Sequence, residues 1–96
     1  MTYGGCIYIL TNATHTVLYI GVTSNLLARV AEHRDKLYPK SFTAIYQCSK
    51  LVYYENFTRI EDAIRREKQL KRWKREWKLK LINSFNPEWV DLFDTL

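Results

Sequence analysis

Residues 6–22 read CIYILTNATHTVLYIGV, and the fold turns on this stretch. Cys6-Ile-Tyr-Ile-Leu10 and Val17-Leu-Tyr-Ile-Gly-Val22 are short runs rich in β-branched and aromatic residues, and the polar Thr11–Thr16 lies between them. Two such runs around a polar turn predict an antiparallel hairpin. Each holds a tyrosine among aliphatic neighbours, Tyr8 and Tyr19. Gly21 follows the second, and a glycine within a strand leaves room for close approach by a ligand or another backbone.

Beyond the hairpin, Thr23-Ser24 offers an N-cap, and Leu26, Leu27, Val30 and Leu37 recur at helical spacing, which predicts a helix from about Asn25 to Lys36. Pro39 and its polar neighbours read as a loop. Leu51-Val-Tyr-Tyr-Glu-Asn-Phe57 reads as a third strand. Thr58 followed by Glu61 has the form of a capping box opening a helix with Ile60, Ala63, Ile64 and Leu70 on its apolar face. Helical propensity then runs to about Ser84. One straight helix of that length would overrun so small a domain, so a break is expected near Arg72–Lys74. Asn86-Pro87 interrupts, and Glu88–Phe93 is expected to form a last turn packing Trp89 and Leu92 on the body. The reading is an α+β fold: a small three-stranded antiparallel sheet flanked by helices, a single domain over residues 1–96.

Composition narrows the functional classes. The chain has 96 residues, of which 47% are apolar and 15% aromatic, enough for one small core without staples. The longest apolar runs fall far short of the ~20 residues that span a bilayer. No basic leader precedes an apolar core at the start, so the expected location is the cytoplasm, with no membrane partner. Cys6 and Cys48 lie in separate apolar stretches and are expected as reduced core thiols. His15 and His33 are the only histidines and no CxxC occurs, which argues against a zinc finger. Glycine-rich phosphate loops are absent as well.

Charge is uneven. Arg65–Lys80 reads RREKQLKRWKREWKLK, nine bases against two acids, in a protein of net charge +5. Such a stripe is either a solvated helix face or the footprint of a partner with a phosphate backbone. Trp73 and Trp77, four apart, would share a helix face and are expected to pack in the core.

Three features do not fit a bland core. Glu67 continues the face begun by Ile60, Ala63 and Ile64, where a carboxylate must be paired or hold a cation because desolvating it alone is costly. It suits a hard divalent ion such as Mg²⁺, or alternatively an ion pair with Arg29 or a helix lysine. Arg29 and His33 lie four apart along one edge of the first helix. Arginine's planar fork matches a phosphate and histidine can carry a proton near neutrality, although a plain surface pair has the same spacing. Tyr8 and Tyr19 are either packing residues or, near a metal and an arginine, groups that position and deprotonate a water.

Taken in order, these residues resemble the GIY-YIG nuclease family, in particular its small stand-alone bacterial members. Cys6-Ile7-Tyr8 and Tyr19-Ile20-Gly21 are similar to its two signature strands. Arg29-x-x-x-His33, Leu51-Val-Tyr-Tyr-Glu55, Ala63-Ile-Arg-Arg-Glu67-Lys68 and Asn86-Pro-x-Trp89 resemble its later segments, over residues 5 to 93. Cys6 stands for the first glycine of the motif, and Val22 where some relatives carry a lysine. The resemblance implies a DNA endonuclease using Mg²⁺ or Mn²⁺, with Glu67 as the metal ligand and Arg29 as the phosphate clamp. Tyr8 or His33 would activate water, and Tyr19 would orient water or phosphate. Substrate contacts would come from Gly21, Arg66, Lys68, Lys71, Arg72, Lys74 and Asn86, with Asn83 as the rival amide. A monomer or weak homodimer is expected. The competing readings are a non-catalytic nucleic-acid-binding module using residues 65–80 and a protein-interaction module using Trp73, Trp77 and Trp89. If the enzyme reading holds, Tyr8, Tyr19, Arg29, His33 and Glu67 must converge on one concave patch.

Overall fold

Strand β1, Gly5–Thr11, is buried along its whole length, which places it at the centre of the sheet. In the computed structural model, which describes residues 4–96, it is flanked on one side by β2, Leu18–Thr23, and on the other by β3, Lys50–Phe57. Both pairings are antiparallel, with Tyr8 opposite Gly21 on one side and Tyr54 on the other. The expected hairpin and third strand are therefore present. A bulge in the β1–β3 ladder falls between Ile9 and Leu10. Alternation along a central strand sends successive side chains to opposite faces. Ile7 and Ile9 enter one apolar cluster with Ile20, Val52, Ala63, Leu70 and Ile82, while Tyr8 and Leu10 enter another with Val30, Cys48 and Leu51.

Helices cover both faces. Helix α1 spans Leu26–Arg34, and its cap is Asn25, whose side-chain oxygen accepts from Ala28 N at 3.2 Å. Thr23-Ser24 was expected there, but Thr23 is still in β2, and its hydroxyl instead accepts from Asn25 N at 3.0 Å to shape the turn. Leu27 and Leu37 were expected on the apolar stripe and are exposed; Leu37 lies beyond the helix, past a left-handed Lys36. A one-turn helix, α2 (Phe42–Ile45), occupies the region expected as loop, capped by Ser41 Oγ accepting from Ala44 N.

Helix α3, Ile60–Arg72, starts one residue later than the capping-box pattern requires. Gly4 N donates to both Phe57 O and Thr58 O, so this part of the chain stays tied to the sheet and Arg59 becomes the cap position. Glu61 pairs with Arg59 at 3.4 Å instead of closing the box. Ile64, expected on the apolar face, is exposed. The expected break is present: Trp73 and Lys74 are extended, and α4 runs from Arg75 to Phe85. Trp73 therefore packs against the Ile7/Ile9 cluster, whereas Trp77 is exposed and meets it edge-on at 6.0 Å between ring centroids. The two tryptophans do not share one continuous helix face. The chain ends in a 3₁₀ turn, Leu92–Thr95, with Leu92 and Phe93 against the Tyr8/Leu10 cluster. Cys6 and Cys48 are free and buried, as expected. Burial pushes the Cys6 thiol up to about 11 and raises that of Cys48 too, so both are inert apolar groups at neutral pH. Among the described residues no helix is long and apolar enough to cross a membrane.

Candidate active site

Tyr8 is 1% exposed, yet its ring reaches sideways to the edge of the sheet. Gly21 makes this possible: a β-carbon there would collide with the end of the Tyr8 ring, so the phenol lies across β2 where any other residue would block it. The space opened by Gly21 is thus taken by Tyr8. This corrects the expectation that it admits substrate.

At that edge the Tyr8 hydroxyl is hydrogen-bonded to His33 Nε2 at 3.0 Å, and His33 Nδ1 to Thr43 Oγ1 at 2.7 Å. Thr43 Oγ1 continues to Ser41 Oγ at 3.3 Å. Helix α1 presents His33 and α2 presents Thr43, so the line exists only because the two helices pack side by side. A neutral imidazole carries one proton between two nitrogens, so the line has a direction: when Nδ1–H donates to Thr43, Nε2 accepts from the phenol. Burial, reinforced by the neighbouring Arg29 charge, holds the imidazole below its ordinary 6.5, so His33 is neutral at physiological pH.

Arg29, one helical turn before His33, faces the same hydroxyl. Tyr8 holds the guanidinium more firmly protonated, and its ion-pair partner is Glu32 at 3.7 Å. Burial pushes the Tyr8 phenol up to about 12; Arg29 opposes this rise, while Tyr19 and Glu67 add to it. Only 15% of the Glu67 side chain is exposed, and it pairs with Lys71 at 3.3 Å. Of the partners considered for it, the pair forms with the helix lysine and not with Arg29. Tyr19 completes the group, its ring centroid 6.3 Å from Tyr8 and 5.5 Å from His33. Tyr8, Tyr19, Arg29 and His33 thus gather at one edge of the sheet, whereas Glu67 is joined to them by no contact and pairs with Lys71. A cleft of about 340 Å³ lined by Tyr19, Arg29, His33, Ser41, Phe42 and Thr43 opens onto them. A second, of about 440 Å³, places Arg29 and Glu32 opposite Thr23–Asn25, so Arg29 stands between two openings.

The expected substrate contacts divide. Lys68, Lys71, Arg72 and Lys74 are exposed. Arg66 is held inside: Nε donates to Glu55 at 3.2 Å, a second nitrogen donates to Gln69 at 2.7 Å, and the guanidinium lies 5.2 Å from the Trp73 ring centroid. Asn86 is buried, donating to Val52 O and Val90 O and accepting from Val90 N, which fastens the tail to β3. Asn83 accepts from the Trp89 indole. Asn86 is corrected from a substrate contact to an internal tie, because its amide is buried and fully engaged, while Arg66 has two of its three nitrogens engaged within the protein.

Sequence reasoning missed Thr43, Ser41 and Lys78. Ser41 two residues before Thr43 had the form of a cap, a signal obscured by the preceding Pro39. Lys78 approaches Tyr19 and Phe42, with Lys71 beside it, because α4 folds back after the break.

Comparison with known proteins identifies the family. The sequence model of the GIY-YIG catalytic domain matches residues 4–80. A UPF0213 protein of Syntrophus aciditrophicus is 37% identical over 82 residues, covering 85% of this chain and 92% of the relative. UPF0213 proteins of Staphylococcus haemolyticus and Staphylococcus epidermidis are 40% and 37% identical over 67 residues, covering 70% of this chain and 80% of each relative. No solved structure gives a significant match. The matched family is one of nucleases, which supports a nuclease-type function and nucleic acid as the partner. With most of the chain matched and the signature tyrosines facing each other at one sheet edge, this protein belongs to the GIY-YIG family.

Proposed function

We propose that this protein is a divalent-metal-dependent endonuclease that hydrolyses phosphodiester bonds in DNA at the cluster around Tyr8. The observation that carries this reading is the hydrogen-bonded line Tyr8–His33–Thr43, with Arg29 lining the same cleft as His33. Attack on a phosphodiester needs a proton acceptor for the water and positive charge at the non-bridging oxygens. A phenol pushed up to about 12 does not ionise at neutral pH, so Tyr8 alone is a poor base. Neutral His33 removes the difficulty. With Thr43 fixing its Nδ1–H, Nε2 accepts the Tyr8 proton as Tyr8 takes one from the attacking water, and the proton ends on His33.

Arg29, permanently charged and standing between two openings, grips the scissile phosphate with two parallel hydrogen bonds and faces the charge that grows there. Tyr19 orients the water or the phosphate from the cleft wall. Among the described residues no three acidic, histidine or cysteine side chains group as a metal cage. The half-buried Glu67 fits a different kind of site, that of Mg²⁺ or Mn²⁺, which takes one or two carboxylates and fills its remaining positions with water and substrate phosphate. A cation held by Glu67 supplies Lewis-acid charge to the reacting phosphate. Lys68, Lys71, Arg72 and Lys74 hold the flanking backbone.

The test is a panel of plasmid, single-stranded and branched DNA, with and without Mg²⁺ or Mn²⁺. Cutting that requires the metal and disappears in Glu67→Ala supports the reading. Equal, negligible cutting by both proteins on every substrate removes it and leaves a binding module built on residues 65–80.

A further inference from the structure

We propose that the substrate presents an unpaired DNA strand, whose bases stack on a row of aromatic rings running from the reaction centre along α2. The proposal depends on the nuclease reading for which phosphate is cut, but the row stands on its own observations. Tyr19, in the cluster, lies 5.9 Å from the Phe42 ring at an interplanar angle of 29°, and Phe42 lies 4.5 Å from Tyr46. Phe42 and Tyr46 are 46% and 51% exposed, although each could have been tucked into a core. Contiguous exposed apolar surface of this kind marks something that binds there.

The clefts beside the row indicate the occupant. Phe42 walls the opening that holds Arg29 and also, on its other side, a cleft containing Lys71 and Lys78. Tyr46 walls a cleft of about 740 Å³, which contains Lys36 and Lys50 together with the Arg34–Asp91 ion pair. Flat rings with cations on either side suit a ligand that has flat faces and a polyanionic backbone. A second copy of this chain would bring lysine against lysine across a two-fold axis. Paired bases in a duplex offer no free face to a ring, whereas an unpaired strand offers one at every nucleotide. Charge and geometry therefore favour a single-stranded segment, lying over Phe42 and Tyr46 with its phosphates toward the lysines and its continuation at Arg29.

The test is fluorescence anisotropy with a labelled oligothymidine strand, alone and annealed to its complement, with divalent ions chelated so that nothing is cut. Wild type, Phe42→Leu, Tyr46→Leu and the aromatic-preserving Phe42→Tyr and Tyr46→Phe are compared. The expected result is tighter binding of the free strand than of the duplex. Each leucine variant should weaken strand binding roughly tenfold, with the aromatic variants close to wild type. Strand binding unchanged in both leucine variants, or duplex binding as tight as strand binding, overturns the proposal. So does a leucine variant that shifts a dimer to a monomer in sedimentation while binding DNA normally, since the patch then belongs to a second copy. Cleavage of the same two substrates with Mg²⁺ is read separately. Absence of all cutting with ring-dependent binding intact removes the catalytic reading and leaves the stacking surface supported.

Discussion

The two faces of the sheet are built from alternate residues of the same strands, and they differ in kind. On one, Ile7, Ile9 and Ile20 are sealed under α3 and α4, and the polar groups at the margin are tied to one another. There Tyr53 donates to Glu55 at 2.9 Å and Arg66 donates to the same carboxylate, while burial, helped by the Glu55 hydrogen bond, pushes the Tyr53 phenol up to about 12. On the other face Tyr8 is equally buried, but its hydroxyl emerges at the sheet edge into a line of groups that can pass a proton. Both faces contain a tyrosine of high pKa. What separates them is the partner: Tyr53 donates to a carboxylate that Arg66 also holds, whereas Tyr8 is hydrogen-bonded to a neutral imidazole, the acceptor that the proposed mechanism needs. High pKa and burial are common to both tyrosines, so the proposed role of Tyr8 rests on the imidazole beside it.

Adjacent substitutions on β1 give the sharpest way to break this comparison. Tyr8→Phe keeps the ring over Gly21 but removes the proton path, so cleavage should fall by ~10²–10⁴-fold with the melting temperature nearly unchanged. Ile9→Ala should do the reverse, losing ~2–5 kcal/mol of stability while the folded fraction keeps its turnover. Denaturation curves and single-turnover rates for the two proteins check both halves. If Tyr8→Phe destabilises and Ile9→Ala inactivates the folded protein, the division of labour between the faces is wrong.

Gly21→Ala tests how the phenol reaches the edge. The added methyl collides with the Tyr8 ring, so the hydroxyl must leave its place beside His33. A displacement of about an ångström can reduce the rate ~10²-fold. The check is a cleavage rate together with loss of the Tyr8–His33 contact in a structure of the variant.

The smallest expected effect is in pH. The folded His33 pKa lies below its ordinary 6.5, so neutral His33 persists as pH drops past that value and the acid limb of the rate profile should fall below 6.5. The same sign applies to stability. Below about 6.5 the unfolded chain binds the proton more readily than the folded one, so this group's contribution declines as pH drops and is fully present above that range. Thr43→Val frees the imidazole from its Nδ1 partner. The rate should fall by about tenfold, in line with the loss of one hydrogen bond of ~1 kcal/mol or somewhat more, and a pH–rate series on both proteins shows whether the acid limb moves as well.

Much of this was legible in the chain. The hairpin, the third strand and the break after Arg72 followed from runs of β-branched residues and from the length a small domain tolerates. The candidate cluster was legible because Glu67 and Arg29 occupy positions whose neighbours are apolar. The parts that were not legible have physical reasons. The capping-box pattern at Thr58 was overridden by pairing of Gly4 to Phe57 and Thr58, a contact between distant residues. Helix α2 is a single turn, too short for periodicity to register. Arg66 and Asn86 looked available because nothing local reveals that Glu55 and Val52 will engage them.

Alternation along the strands, the density of bases in residues 65–80 and the odd polar residues on apolar stripes are local properties, and the order of residues alone determined them. Which tyrosine meets an imidazole, which arginine lines the cleft and which lysines turn toward it depend on the register of β1 against β2 and on how α2 and α4 fold back. Those are contacts between segments far apart in the chain, and only the packed tertiary structure decides them.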